Sequence, residues 1–372
     1  SFDKFIQDWI AAEVVAFDVE TTGLEWYQSD FKVNSIAFSL SDKAGTYEKN
    51  WAIPLAKSPI LSHELQVKLL QELTRSTGGK TVRGQFAKFD NNCLMRCYGV
   101  KFRLDEDSGL AHHIVDENSA HGLKLLTRQF LGWPDYDLTT KEKKGDTKLS
   151  KLLAYNAYDS AGTRQLVPIF IKKIDEDERW LYRSVVMPAA RAFEEIEQNG
   201  LYVDLEKMAA AEKTIKAQRD AVVKKLNKIA GEPINWNAPA KVAEVLYGKL
   251  GLTPTVLTGG GAPSTSEEAL IDLHHPISLL LMEYRGHAKN LSTYTGEWNP
   301  ETKKYEGGLR EFMIGPNLYV STKLHGTVTG RYSNRLHSIP RDPEIRGFIT
   351  APPSWDHVQL DLSQAELKII AI

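Results

Sequence analysis

The sequence predicts an α/β domain followed by a mainly helical one, in a chain of 372 residues. Two observations carry this. An apolar run, Val14-Val15-Ala16-Phe17, reads as a buried strand and heads a stretch where strand and helix patterns alternate. From Trp180 to Ile229 the pattern turns almost wholly helical, broken at Asn199-Gly200. The length itself suggests two or three domains.

Each element has its own warrant. Val33 to Leu40 and Thr46 to Leu55 have strand character. Ser62 to Arg75 spaces Leu65, Leu69, Leu70 and Leu73 on one helical face, and Thr77-Gly78-Gly79 ends it. Val82 starts a short strand that runs into Gln85-Phe86-Ala87. Lys88 to Tyr98 reads as a helix with Gly99 as its C-cap. Lys141 to Lys151 is a charged connection, and Leu152 to Lys173 is helical. Leu257 to Pro263 is a Gly-rich loop, after which Ser264 to Glu268 has the Ser/Thr and early glutamates of a helix start. Pro276 to Leu291 is a further helix, and strand character returns at Leu318–Leu324 and Val358–Leu362. The expected domains are 1–178, 179–318 and 319–372.

Composition is that of a soluble globular protein, 42% hydrophobic and 25% charged. The longest apolar stretch, Ile277 to Met282, is far short of a membrane span, so no membrane partner is expected. The N-terminus carries Asp3, Asp8 and Glu13 and no basic n-region, so secretion is not expected. It begins at Ser1, as a piece of a longer chain would. Cys93 and Cys97 share a helix face, but two thiols make no zinc site, and buried thiols in a reducing cytoplasm are the expectation. The net charge of −2 does not exclude nucleic acid, because binding depends on where charge sits. Lys213, Lys216, Arg219, Lys224, Lys225 and Lys228 form one basic run, equally readable as a solvated helix face or a DNA contact. Lys323, Arg331, Arg335, Arg341 and Arg346 form another.

The chemistry-bearing feature is Asp18-Val19-Glu20, directly after the apolar run. Carboxylates two residues apart on a strand point to one face. At about 4 Å and an effective dielectric near 20 they repel by roughly 4 kcal/mol. A hard divalent cation is the usual relief. Asp90 follows Gly84-Gln85-Phe86-Ala87-Lys88-Phe89, and Tyr155 and Asp159 stand at i, i+4 on one helix face. Taken singly, Asp90 reads as a helix cap and Tyr155 as a core tyrosine.

Together and in this order, Asp-x-Glu, Asp and Tyr-x-x-x-Asp resemble the tyrosine-containing branch of the DEDD 3′→5′ exonucleases. That resemblance implies a ribonuclease H-like fold and two divalent ions, Mg2+ or Mn2+, held by Asp18, Glu20, Asp90 and Asp159. Tyr155 would orient the attacking water. Thr21 and Leu24 would contact the terminal nucleotide of a single-stranded 3′ end. Phe86 stands where this branch often has Asn.

The C-terminal part, with Glu283-Tyr284-Arg285-Gly286-His287-Ala288-Lys289, Thr327-Val328-Thr329-Gly330-Arg331 and Asp361-Leu362-Ser363-Gln364-Ala365-Glu366, looks like family A DNA polymerase of the bacterial polymerase I type. The resemblance implies a helical thumb gripping primer-template duplex and the first strands of an incomplete palm. Lys289, Ser292 and Thr293 would touch phosphates, and Arg331 and His337 would reach the primer end. Asp361 would bind a metal for nucleotidyl transfer, and Glu366 would crowd a ribose 2′-hydroxyl. Leu362 departs from a usual tyrosine, His337 from a glutamine, and Ser333–Ile339 is shorter than in common members, as in a divergent, phage-type protein. The expected setting is a bacterial or phage-infected cytoplasm. The motifs for fingers and the second palm aspartate do not occur, so the chain is expected to be exonuclease-competent and polymerase-incompetent. A second polymerase chain completing a split enzyme, a stand-alone RNA-trimming nuclease of the DEDD type and a non-enzymatic DNA-holding subunit are the alternatives.

Overall fold

A computed structural model describes residues 1–56, 58, 60–138 and 147–371. The chain packs as two compact units, Ser1–Gly200 with Tyr319–His337, and Leu201–Leu318 with the residues from Ser338 on. The first unit therefore runs past the expected boundary at 178 and recovers a segment expected in the palm.

In the first unit, helix α1 (Phe2–Ala11) precedes strand β1 (Val14–Thr21), with β2 (Val33–Ser41), β3 (Glu48–Pro54), helix α2 (His63–Arg75) and β4 (Thr81–Gly84) following. Then come α3 (Lys88–Tyr98), β5 (Glu106–Asp107), α4 (Ser108–Val115), α5 (Leu123–Leu131) and α6 (Leu149–Lys173). Helices α7 (Glu176–Leu181) and α8 (Met187–Asn199) close the unit, joined by a π-helical turn. The sheet order is β3-β2-β1-β4-β5, with β1 antiparallel to β2 and parallel to β4. β1 is central because its apolar run is buried on both faces; Val14, Val15, Ala16 and Phe17 are at most 3% exposed. Phe17 packs on Phe102 with ring centroids 4.8 Å apart, and α1 lays Trp9 edge-on to Phe38 at 5.2 Å.

Most expected elements form where the pattern placed them. Gly99 caps α3 in the left-handed conformation at φ 67°, which costs glycine little. The short strand from Val82 stops at Gly84 rather than running on, because Phe86 turns to φ 52°. Of the charged connection, residues 141–146 lie outside the described residues, and 149–151 already belong to α6. Cys93 and Cys97 are free thiols, buried and half-buried.

The second unit is built on α9 (Leu205–Ala230), capped by the Asp204 carboxylate at one end and left-handed Gly231 at the other. Strand β6 (Leu201–Tyr202) precedes it, and α10 (Pro239–Ala243), α11 (Glu267–Asp272) and α12 (Pro276–Asn290) follow. Val222, Leu226, Trp236, Leu246, Leu270, Ile277 and Leu281 form their shared core. A hairpin, β7 (Glu297–Asn299) and β8 (Lys304–Glu306), and a small sheet of β6, β9 (Met313–Ile314) and β10 (Asn317–Leu318) complete it, with short helices α13 (Pro343–Arg346) and α14 (Ala365–Ile370).

The two late strands need correction. Strand structure at Leu318–Leu324 is confined to β10 and an isolated bridge at Lys323. Residues 358–362 are irregular, with Val358 81%, Leu360 92% and Leu362 80% exposed. A strand needs a partner for its backbone groups, and none pairs with 358–362 among the described residues.

Candidate active site

β1 and α6 bring the first carboxylates together. Asp18 and Glu20 share a face of β1, beside a register shift between Glu20 and Thr21 that bends the strand end. Asp159 projects from α6, which packs across β1, β2 and β3. One oxygen from each of Asp18, Glu20 and Asp159 lies within 4.8 Å of the others. This is an all-oxygen donor set suited to a hard divalent ion.

Neighbouring side chains fix these acids. Asn156 donates to Asp18 Oδ2 at 2.6 Å and itself accepts from Ser35 Oγ at 3.1 Å. Tyr136 Oη donates to Asp159 Oδ1 at 2.9 Å, and the Lys124 ammonium contacts both Asp159 oxygens. Burial first, then repulsion from Asp159, Asp90 and Glu20, holds the Asp18 carboxyl well above the ordinary carboxylate range. Burial likewise raises Asp159, partly countered by Lys124.

Asp90 stands apart from the ligand cluster. Its Oδ1 accepts the Val19 backbone N–H at 2.9 Å, so it ties α3 to β1 between the two acids of Asp-x-Glu. Burial pushes its carboxyl up to about 7. The turn that aims α3 is built by Asp107, a buried carboxylate that accepts from Ala87 N and caps α4 at Leu110 N, each at 3.0 Å. Gly84 is required there, because a Cβ would stand 2.1 Å from that of Ala87. Phe86, in place of the branch's asparagine, stacks on His325 at 3.9 Å between centroids.

Tyr155 lies at the edge of the site. Its hydroxyl donates to Asp137 Oδ1 at 3.2 Å, and its ring centroid is 4.2 Å from Lys124 Nζ. Burial and then Asp159 keep its phenol well above its usual range. Thr21 Oγ1 donates to the Gly23 carbonyl at 2.7 Å, and Leu24 is 76% exposed at the strand mouth. Sequence reasoning missed Asn156, Lys124 and Tyr136. Asn156 was within reach, since it sits three residues from Asp159 on the same helix face. Lys124 and Tyr136 approach from distant segments that carry no motif.

The polymerase-type residues fall on both units. Arg331 and His337 are exposed on the segment 319–337, where Thr327 Oγ1 donates to the Arg331 carbonyl at 2.6 Å. On the second unit, Lys289, Ser292 and Thr293 are exposed at the end of α12, Asp361 is exposed and irregular, and Glu366 lies on α14. The basic run on α9 divides. Lys216 and Arg219 pair with Glu297 at 2.9 and 2.6 Å, while Lys213, Lys224, Lys225 and Lys228 are exposed.

Residues 1–175 match the 3′-5′ exonuclease family, and residues 205–372 match DNA polymerase family A. Its C-terminal part, from residue 205 on, is thus similar to DNA polymerase family A. The chain is 29% identical to the DNA polymerase of Escherichia phage T5 over 96% of its length and 44% of that protein's. It is 26% identical to DNA polymerase I of Pseudomonas aeruginosa, covering 100% of this chain and 42% of the relative. Against the thermostable DNA polymerase I of Thermus filiformis the identity is 30%, over 78% and 33% respectively. The chain thus spans less than half the length of these relatives. Among solved structures, the POL domain of Pol1 from M. smegmatis, in complex with DNA primer-template and dNTP, shares the fold. Its TM-score is 0.74 at 18% identity, over 99% of this chain and 60% of that one.

Proposed function

We propose that the first unit is a metal-dependent 3′→5′ exonuclease acting on single-stranded DNA ends, and that the second unit holds duplex DNA as a polymerase thumb does. The convergence of Asp18, Glu20 and Asp159, three acids from two distant segments, carries this reading. Their hard oxygen donors, with the upward-shifted carboxyls of Asp18 and Asp159, fit Mg2+ or Mn2+. Asp18, Glu20 and Asp159 would hold one ion, and Asp90 would serve a second. Bound there, such ions supply a polarised phosphate and an acidified water.

The chain's own groups supply orientation. Asn156 fixes the rotamer of Asp18, and Asp90 fixes the backbone between Asp18 and Glu20. The raised Tyr155 phenol stays protonated at neutral pH, so it acts as a hydrogen-bonding orienter of the attacking water rather than as a base. Leu24, exposed after the strand end, would wedge against a terminal base, and Thr21 would contact its nucleotide. A mispaired end frays at lower cost than a paired one, which would deliver mismatches to this site preferentially. The exposed Lys289, Ser292 and Thr293 would meet phosphates without reading sequence. We assign Arg331 and His337 to the primer end, Asp361 to a metal ligand of nucleotidyl transfer and Glu366 to exclusion of a ribose 2′-hydroxyl.

The test is degradation of a 5′-labelled single strand by the purified chain with Mg2+ or Mn2+. Stepwise shortening from the 3′ end, abolished in Asp18→Ala, is expected. An intact strand, or equal loss with Asp18→Ala, would sink the reading. Comparing DNA with RNA of matched sequence addresses substrate class.

A further inference from the structure

Lys124 belongs to no motif, yet it meets the carboxylate cluster directly. It stands on the first turn of α5, and its Nζ contacts both oxygens of Asp159. The side chain is 20% exposed, and that of Asp159 only 6%. The same ammonium lies 4.2 Å from the Tyr155 ring centroid and 5.1 Å from that of Tyr136. Both oxygens of one cluster acid are therefore occupied by a protein cation.

We infer that Lys124 is a built-in counter-cation of the metal site, seated on Asp159 when no ion is bound and displaced when a divalent ion binds. The inference rests on the reading that the cluster takes such ions. An ammonium is a compact point charge with three donors on a flexible stem. Its hydrogen bonds engage the carboxylate lone pairs that a hard cation would need at about 2.0–2.6 Å. Two positive centres sharing one carboxylate repel. The stem can swing aside, and the faces of Tyr155 and Tyr136 offer a resting place that still favours a cation. Lys124 is thus a positioning residue: it holds three like charges together in the ion-free protein and sets how tightly an ion binds.

Two measurements on the full chain test this. In a calorimetric Mn2+ titration at fixed pH, Lys124→Gln binds Mn2+ about 3- to 30-fold more tightly than the parent, and it melts lower than the parent in EDTA. Equal or weaker Mn2+ binding overturns the inference, since loss of a merely structural contact does not tighten an ion site. On the unaltered protein, acylation of Lys124 by an N-hydroxysuccinimide acetate, mapped by mass spectrometry, accelerates when Mg2+ is added. An unchanged or slower rate overturns it without any variant needing to fold. If Mn2+ binding is absent, or identical in Asp18→Ala, the metal-site reading and the inference fall together. If only the parent and Lys124→Gln coincide, the inference alone falls.

Discussion

Asn156 Nδ2 lies 2.6 Å from Asp18 Oδ2, and through Ser35 it links the first acid of the site to the neighbouring strand. Partners of metal-binding carboxylates commonly matter by about 10–100-fold. Asn156→Ala is expected to lower exonuclease kcat by roughly tenfold or more, with a smaller change in KM for a single strand. Steady-state kinetics on a labelled oligonucleotide checks this. An unchanged kcat would show that Asp18 needs no such support.

Asp90 should make the ion-free protein sensitive to pH. Its carboxyl titrates near 7 when folded, against an ordinary value of 3.8. Between these values the folded state holds a proton that the unfolded chain has lost, so stability falls as pH rises through the window. Asp90→Asn removes this titration. In EDTA, the stability of Asp90→Asn relative to the parent should rise from pH 5 to pH 8 by on the order of a few kcal/mol. Urea unfolding at several pH values measures it; a difference independent of pH would refute the raised carboxyl.

Glu197 anchors the recovered segment 319–337. Its side chain is 3% exposed, pairs with Lys88, and accepts from Asn92 Nδ2 at 2.9 Å and Thr322 N at 2.5 Å. Removing one member of a buried pair strands the other charge. Glu197→Ala should therefore destabilise the protein by about 3–5 kcal/mol, read by chemical denaturation. A loss under about 1 kcal/mol would mean that the pair behaves as a surface one.

Gly84 tolerates no side chain, because the nearest atom to an added Cβ, 2.1 Å away, is the Cβ of Ala87 on the turn that aims α3. Gly84→Ala should cost about 1–3 kcal/mol or more and reduce exonuclease activity with it. Thermal melting and the oligonucleotide assay read the two effects together.

Lys289 is exposed and lies in the last turn of α12. If it neutralises one phosphate, Lys289→Ala should weaken duplex binding equally for unrelated sequences and shallow the log–log salt slope by about 0.9. Fluorescence anisotropy across a salt series decides; an unchanged slope removes Lys289 from the interface.

The sequence disclosed the carboxylates because strand alternation and helical spacing are local, and each acid carries its own signature within a few residues. It also placed the buried strand, whose apolar run needs no tertiary information. It did not disclose Lys124 or Tyr136, whose roles arise only when α5 and the residues after it fold over α6. It missed the irregular state of 358–362, because apolar alternation marks a face and not the partner that would cover it. Tertiary contacts decided two further points. Lys216 and Arg219, read as part of a solvated face or a DNA contact, are held by Glu297, and the segment after Leu318 groups with the first unit through contacts such as Glu197 to Thr322.

The acids of the cluster are separated by some 140 positions along the chain, from Asp18 to Asp159. During synthesis, the strand that carries Asp-x-Glu leaves the ribosome long before the helix that carries its third partner. Until that helix emerges and docks, the nascent polypeptide has no complete cage of acids. Completion of the cage is thereby timed by the order of the elements, waiting on the last of them to appear.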